Sequence, residues 1–180
     1  MKRTFLTIFL LITAISLFAA TPNATFEVSA SIAGINDMKI TNTAVDVPTY
    51  NNPNNAFEGT VAISTSGEGS NMDSSGNVAF SAYISTLSNN RSGYSVLMSA
   101  TALTHEDDDT TTINYTVTVN DTSFATKTDT TAVEVIDVTS LSGLDTESLP
   151  ISVNVVRSEY DSAVAGTYVG TITFEYIGNN

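Results

Sequence analysis

The chain has 180 residues, with 19 acidic against 6 basic side chains, one histidine and a formal net charge of −13. That balance excludes nucleic-acid binding and attraction to anionic lipid, because affinity for either is built on Lys and Arg meeting phosphates. Cysteine is absent, so there is neither a disulfide framework nor a thiol nucleophile, and stability must come from burial and sheet hydrogen bonding.

Residues 1–20 open with Lys2 and Arg3, continue as an apolar stretch from Phe5 to Phe18 broken by Thr7, Thr13 and Ser16, and close on Ala19 and Ala20. This is the layout of a secretory signal peptide. The stretch is shorter than the ~20 residues a membrane-spanning helix needs. The expectation is therefore export with cleavage near Ala20, giving a secreted, periplasmic or cell-surface protein not inserted in a membrane. Residues 21–180 form its one domain. Loss of Lys2 and Arg3 leaves four basic against 19 acidic side chains, a net charge near −15.

In the mature chain, Phe26, Val28, Ala30 and Ile32 alternate with Glu27, Ser29 and Ser31, which predicts a strand over 25–33 with one apolar face. Short runs rich in Val, Ile, Thr, Phe and Tyr then predict strands over 38–47, 59–65, 77–87, 94–103, 112–119, 132–138, 149–156 and 167–177. Two of these carry faces expected in the core: Ile113, Tyr115, Val117 and Val119, and Ile151, Val153 and Val155. In the last strand Tyr168, Gly170, Ile172, Phe174 and Tyr176 share a face. Pro48 and Pro53 make 47–56 a surface connection. The Asx-and-glycine clusters at 73–77 and 89–93 predict hairpins, and 141–147 has room for one helical turn. The fold class is all-β: a single antiparallel β-sandwich, immunoglobulin-like or pilin-like, of about nine strands.

Searching for chemistry returns little. The lone His105 lies in His105-Glu-Asp-Asp-Asp109, where the second histidine of His-Glu-x-x-His is missing and nitrogen and sulfur ligands are too few for zinc catalysis. Ser70 lacks the Gly-x-Ser-x-Gly turn of an activated hydroxyl. The chain is read as non-enzymatic. Calcium is the one cofactor worth arguing, because Glu106, Asp107, Asp108 and Asp109 place four oxygen donors in one connection; a solvated acidic loop is the competing reading. Lys39 would form an isopeptide bond only if buried beside a carboxylate. Sequons at Asn23, Asn90, Asn114 and Asn120 leave glycosylation open. There is no Trp to present a flat sugar platform, and Tyr50 and Tyr160 are the loop aromatics available to a ligand.

The two ends carry a resemblance. The segments 25–33 and 35–40, with the closing Ala165-Gly-Thr-Tyr-Val-Gly-Thr-Ile-Thr-Phe-Glu-Tyr176, resemble the ends of bacterial fimbrial subunits, the cysteine-free colonisation-factor and spore-coat-U-like types. The resemblance covers only these ends, and Asn179 stands where many pilins carry an aromatic. It implies that Phe26, Val28, Ala30 and Ile32 are donated to a neighbouring subunit, and that Tyr168, Ile172, Phe174 and Tyr176 line the groove that accepts such a strand. The expected role is a structural subunit of a surface filament or envelope layer, with itself or other envelope proteins as partner. The rival is a free-standing carbohydrate- or protein-binding module.

Overall fold

A computed structural model describes residues 29–45, 73–79 and 81–180. The chain divides between Ile32 and Ala33 into two units. In the first, the described residues 29–32 are exposed and carry no regular secondary structure, so the strand predicted over 25–33 is not formed there; residues 25–28 lie outside the described residues.

The second unit is all-β and sandwich-like. Its strands among the described residues are β1 (Asn36–Thr41), β2 (Tyr83–Ser88), β3 (Tyr94–Ala100), β4 (Leu103–His105), β5 (Asp108–Ile113), β6 (Tyr115–Val119), β7 (Thr122–Ala125), β8 (Val133–Val138), β9 (Asp145–Val155), β10 (Tyr168–Val169) and β11 (Ile172–Gly178), and the helix described there is α1 (Arg157–Ser162). They form three antiparallel sheets, ordered β1-β2-β9-β6-β7, β11-β3-β8 and β10-β4-β5.

The core follows from alternation. Tyr115, Val117 and Val119 of β6 lie opposite Val155, Val153 and Ile151 of β9. All six are buried, as expected, while Thr116, Thr118 and Ser152 take the other face. Ile84 of β2 and Phe124 of β7 join them from the same sheet, Tyr94, Val96, Met98 and Ile136 from β3 and β8, and Val78, Ala82 and the expected Ile113 complete the described cluster. Each fully buried Val or Ile contributes about 1.5–3 kcal/mol. The buried Thr86 and Tyr94 hydroxyls join the sheets at 2.7 Å, and burial pushes the Tyr94 phenol above its ordinary pKa. Strand β2 is buried on both faces, and its Ser85 hydroxyl meets Thr41 at 2.8 Å and Ser148 at 2.9 Å.

Among the described residues seven of the nine expected strands are found, three of them divide, and with one unforeseen strand the total is eleven. Residues 94–103 and 167–177 break side by side: Thr101 N–H donates to the Thr171 carbonyl, Thr171 N–H donates to Thr101 Oγ1, and Gly170 lies against the Thr101 and Ala102 carbonyls. Before and after that bend the chain pairs into different sheets. The run 112–119 breaks at Asn114, whose N–H turns aside to Glu159 Oε2 at 2.8 Å. A further strand, β7, was not foreseen. The predicted helical turn at 141–147 is instead the approach to β9, and the helix falls at Arg157–Ser162. The cluster at 89–93 is not a hairpin, because β2 and β3 belong to different sheets. That at 73–77 is a turn with Gly76 at φ 90°, leading to a bridge between Asn77 and Asn154. Residues 46–72, including the predicted strand 59–65 and Tyr50, lie outside the described residues.

Glu159 ties α1 to the β5–β6 corner. Its carboxylate accepts from Lys127 Nζ at 2.7 Å and from the Asn114 N–H and Nδ2. The Lys127 hydrogen bond, then those from Asn114, hold its pKa down at about 2 from an ordinary 4.5. A depressed carboxylate stabilises the fold above its unfolded pKa and loses that contribution as pH falls toward the folded value. Glu159→Gln should cost about 1–2 kcal/mol at neutral pH. In denaturant titrations, its deficit against wild type should close between about pH 5 and about pH 2.

Candidate functional site

The acidic connection does not gather ligands. Glu106 and Asp107 make the turn between β4 and β5, with Asp108 and Asp109 opening β5. Asp108 spends its carboxylate on its own strand, accepting from the Thr110 N–H and hydroxyl and from the Thr111 hydroxyl at 2.6 Å. These bonds, the Thr111 hydroxyl first, bring its pKa down to about 2. Among the described residues no three His, Cys, Asp or Glu side chains converge to hold a metal ion. The four acids expected to offer calcium a cage therefore do not form one.

His105 has a structural role. Nδ1 accepts the Asp107 N–H at 3.1 Å, so Nε2 carries the proton that faces the Ala165 carbonyl at 3.4 Å. The ring meets Tyr168 edge-on, with centroids 5.0 Å apart. Lys39 is not the buried lysine an isopeptide bond needs: its side chain is 43% exposed and pairs with Asp37 at 3.7 Å. Two sequon amides are engaged, that of Asn90 with the Gly93 and Asn179 carbonyls and that of Asn114 with Glu159.

A different constellation forms where the ends of the sandwich meet. The turn 89–93 receives both: Asn89 Nδ2 donates to the Ala33 carbonyl at 2.9 Å, its Oδ1 accepts the Ile35 N–H at 2.7 Å, and its own N–H donates to the Ile35 carbonyl. One residue on, Asn90 Nδ2 donates to the Asn179 carbonyl at 3.0 Å, and the Asn179 N–H donates to the Gly93 carbonyl. The start of β1 and the end of β11 are thus fixed side by side, each at the edge of a different sheet. Among the described residues, β1 pairs with β2 alone and β11 with β3 alone.

The inward faces of these edges are apolar and half-covered. Met38 and Ile40 from β1, and Ile172, Phe174 and Tyr176 from β11, pack against the core without being buried. Tyr168 also packs there, but from β10, in the third sheet. The expected face survives the break at 170–171, while only three of its large side chains belong to the edge strand. Of the complementary set, Ala30 is exposed and Ile32 is 86% exposed; Phe26 and Val28 lie outside the described residues.

One end of this edge pair is tied by polar groups. The Tyr176 hydroxyl donates to Asn36 Oδ1 at 2.8 Å and lies 3.1 Å from Ser88 Oγ. Ser88 Oγ donates to Asn36 Oδ1 at 2.8 Å and accepts the Asn90 N–H. The Tyr176 ring stacks on Tyr94, with centroids 4.9 Å apart and planes at 19°. Sequence reasoning missed Asn36, Ser88, Asn89 and Asn90. Their one local signal was the turn chemistry at 89–93.

No protein-family model matches the chain, and no curated protein matches it. Among the described residues no helix is long and apolar enough to cross a membrane.

Proposed function

We propose that the protein is a secreted, non-enzymatic structural subunit of a surface filament or envelope layer, in which residues 26–32 of one copy add as a strand between β1 and β11 of the next. The observation that carries this reading is the pair of adjacent sheet edges, β1 and β11, whose inward apolar side chains are only half-covered. An added strand would satisfy the edge N–H and C=O groups and cover those side chains, the two gains of β-strand addition. Residues 26–32 offer four apolar side chains at the alternate spacing that such a position needs.

Charge supports the choice of partner. Edges are usually guarded by Lys or Pro. Strand β11 has neither, its one charge being Glu175. A copy with net charge near −15 repels another copy at long range, so association must rest on short-range hydrogen bonding and apolar burial. Export by the signal peptide would bring the subunits to the periplasm or cell surface, where they meet.

A synthetic peptide of residues 25–33, added in tenfold excess during assembly of the purified mature protein, should occupy the edge and shorten the polymers seen by electron microscopy. Polymers of unchanged length, with no peptide bound, would rule out strand addition at this edge.

A further inference from the structure

We infer that Tyr176 acts as a removable cap on this edge, a clasp between β11 and β1 that an incoming strand must open. The inference rests on the strand-addition reading and adds to it a residue that controls how fast a strand is accepted.

Tyr176 differs from the other inward residues of β11. Ile172 and Phe174 contribute only apolar surface, whereas the Tyr176 hydroxyl reaches across to Asn36 on β1 and to Ser88 on β2. It thereby joins the edges of two sheets that no backbone ladder connects among the described residues. Its ring lies flat on Tyr94, which is 1% exposed. Tyr176 thus supplies from within the subunit two things an added strand would supply from outside: a link between the edges and a cover for the core.

Such a cap is cheap to open. Tyr176 and Asn36 are not buried, and a hydrogen bond near solvent is readily exchanged for one to water. The clasp closes the end of the edge pair beside the turn 89–93. The other end of the edge pair is the one around Ile40 and Ile172. A strand that enters from that end displaces the clasp last.

The test follows uptake of a fluorescently labelled peptide of residues 25–33 by fluorescence anisotropy. The acceptor is the mature protein carrying Val28→Asp and Ile32→Asp, so that no neighbour fills the edge. Tyr176→Phe keeps the stacked ring and removes the hydroxyl, and should speed uptake about tenfold. Asn36→Ala breaks the same clasp from β1 and should do likewise, which guards against misfolding of either variant alone. Equal rates in all three acceptors would overturn the clasp while leaving strand addition standing. Absence of binding to every acceptor, each folded by circular dichroism, would overturn both.

Discussion

Changing Val28 and Ile32 to Asp in the mature protein should abolish self-assembly and leave a folded monomer. Both residues belong to the apolar row of 26–32, and Ile32 is 86% exposed in the isolated chain, so a charge there costs the subunit nothing it already buries. In an assembled strand the same charges would be buried without partners, at several kcal/mol each. The variant keeps its own β1 and β11 edges. Mixed with wild type, it should therefore accept a neighbour's strand, offer none, and shorten the polymers. Size-exclusion chromatography with circular dichroism separates the outcomes. An unfolded variant would show instead that the segment completes its own subunit's core, since two buried charges cost an amount comparable to typical stability margins of about 5–15 kcal/mol.

The second large effect falls on the turn that holds the start of β1 and the end of β11. Gly93 has φ 80°, and a Cβ there would run into the Val138 carbonyl oxygen and the Thr139 backbone. Left-handed backbone alone costs a non-glycine residue about 1–3 kcal/mol. Relieving the collision means moving the end of β8, because the obstruction is main chain. Gly93→Ala should destabilise by about 3–5 kcal/mol, a fall of about 10 °C or more in melting temperature. Gly143→Ala, at a position with nothing within 4 Å of the added carbon, should stay within about 0.5 kcal/mol of wild type. Thermal melts of the two variants side by side measure the contrast, and equal melting temperatures would refute the role given to Gly93.

What could be read from residue order alone was what local alternation encodes. Tyr115, Val117 and Val119, and Ile151, Val153 and Val155, announce their buried faces by the period of two, and each occupies the place expected. Breaks in strands were invisible for a physical reason. Asn114 leaves its ladder because Glu159, 45 residues later, takes its N–H; the bend at 170–171 exists because a second strand bends beside it at 101–102. Neither partner is signalled nearby. Residues 157–162 form a helix without a side-chain cap, held by the Arg157–Asp161 pair at 2.8 Å and by Glu159, so their helical character was masked by a sequence that reads as loop.

The candidate site divides in the same way. Ile172, Phe174 and Tyr176 were legible as one face, because that is a local property. That Tyr176 reaches Asn36, 140 residues away, was not. Asparagine is also ambiguous in sequence: Asn89 and Asn90 read as turn formers, which they are, while their second role in gripping Ala33 and Asn179 needs the fold. The run Glu106 to Asp109 is the opposite case: four oxygen donors in one connection are plain in the sequence, whereas their convergence depends on the fold. Asp108 satisfies itself on Thr110 and Thr111, and among the described residues no three such side chains converge.

The most direct test is a denaturing gel of native protein taken from the surface of its source cells, loaded with and without boiling. Strand addition between copies predicts a ladder at multiples of the mature mass in the unboiled lane, collapsing to one band on boiling, because many backbone hydrogen bonds must open together to release a strand. A single monomer band in both lanes would contradict it.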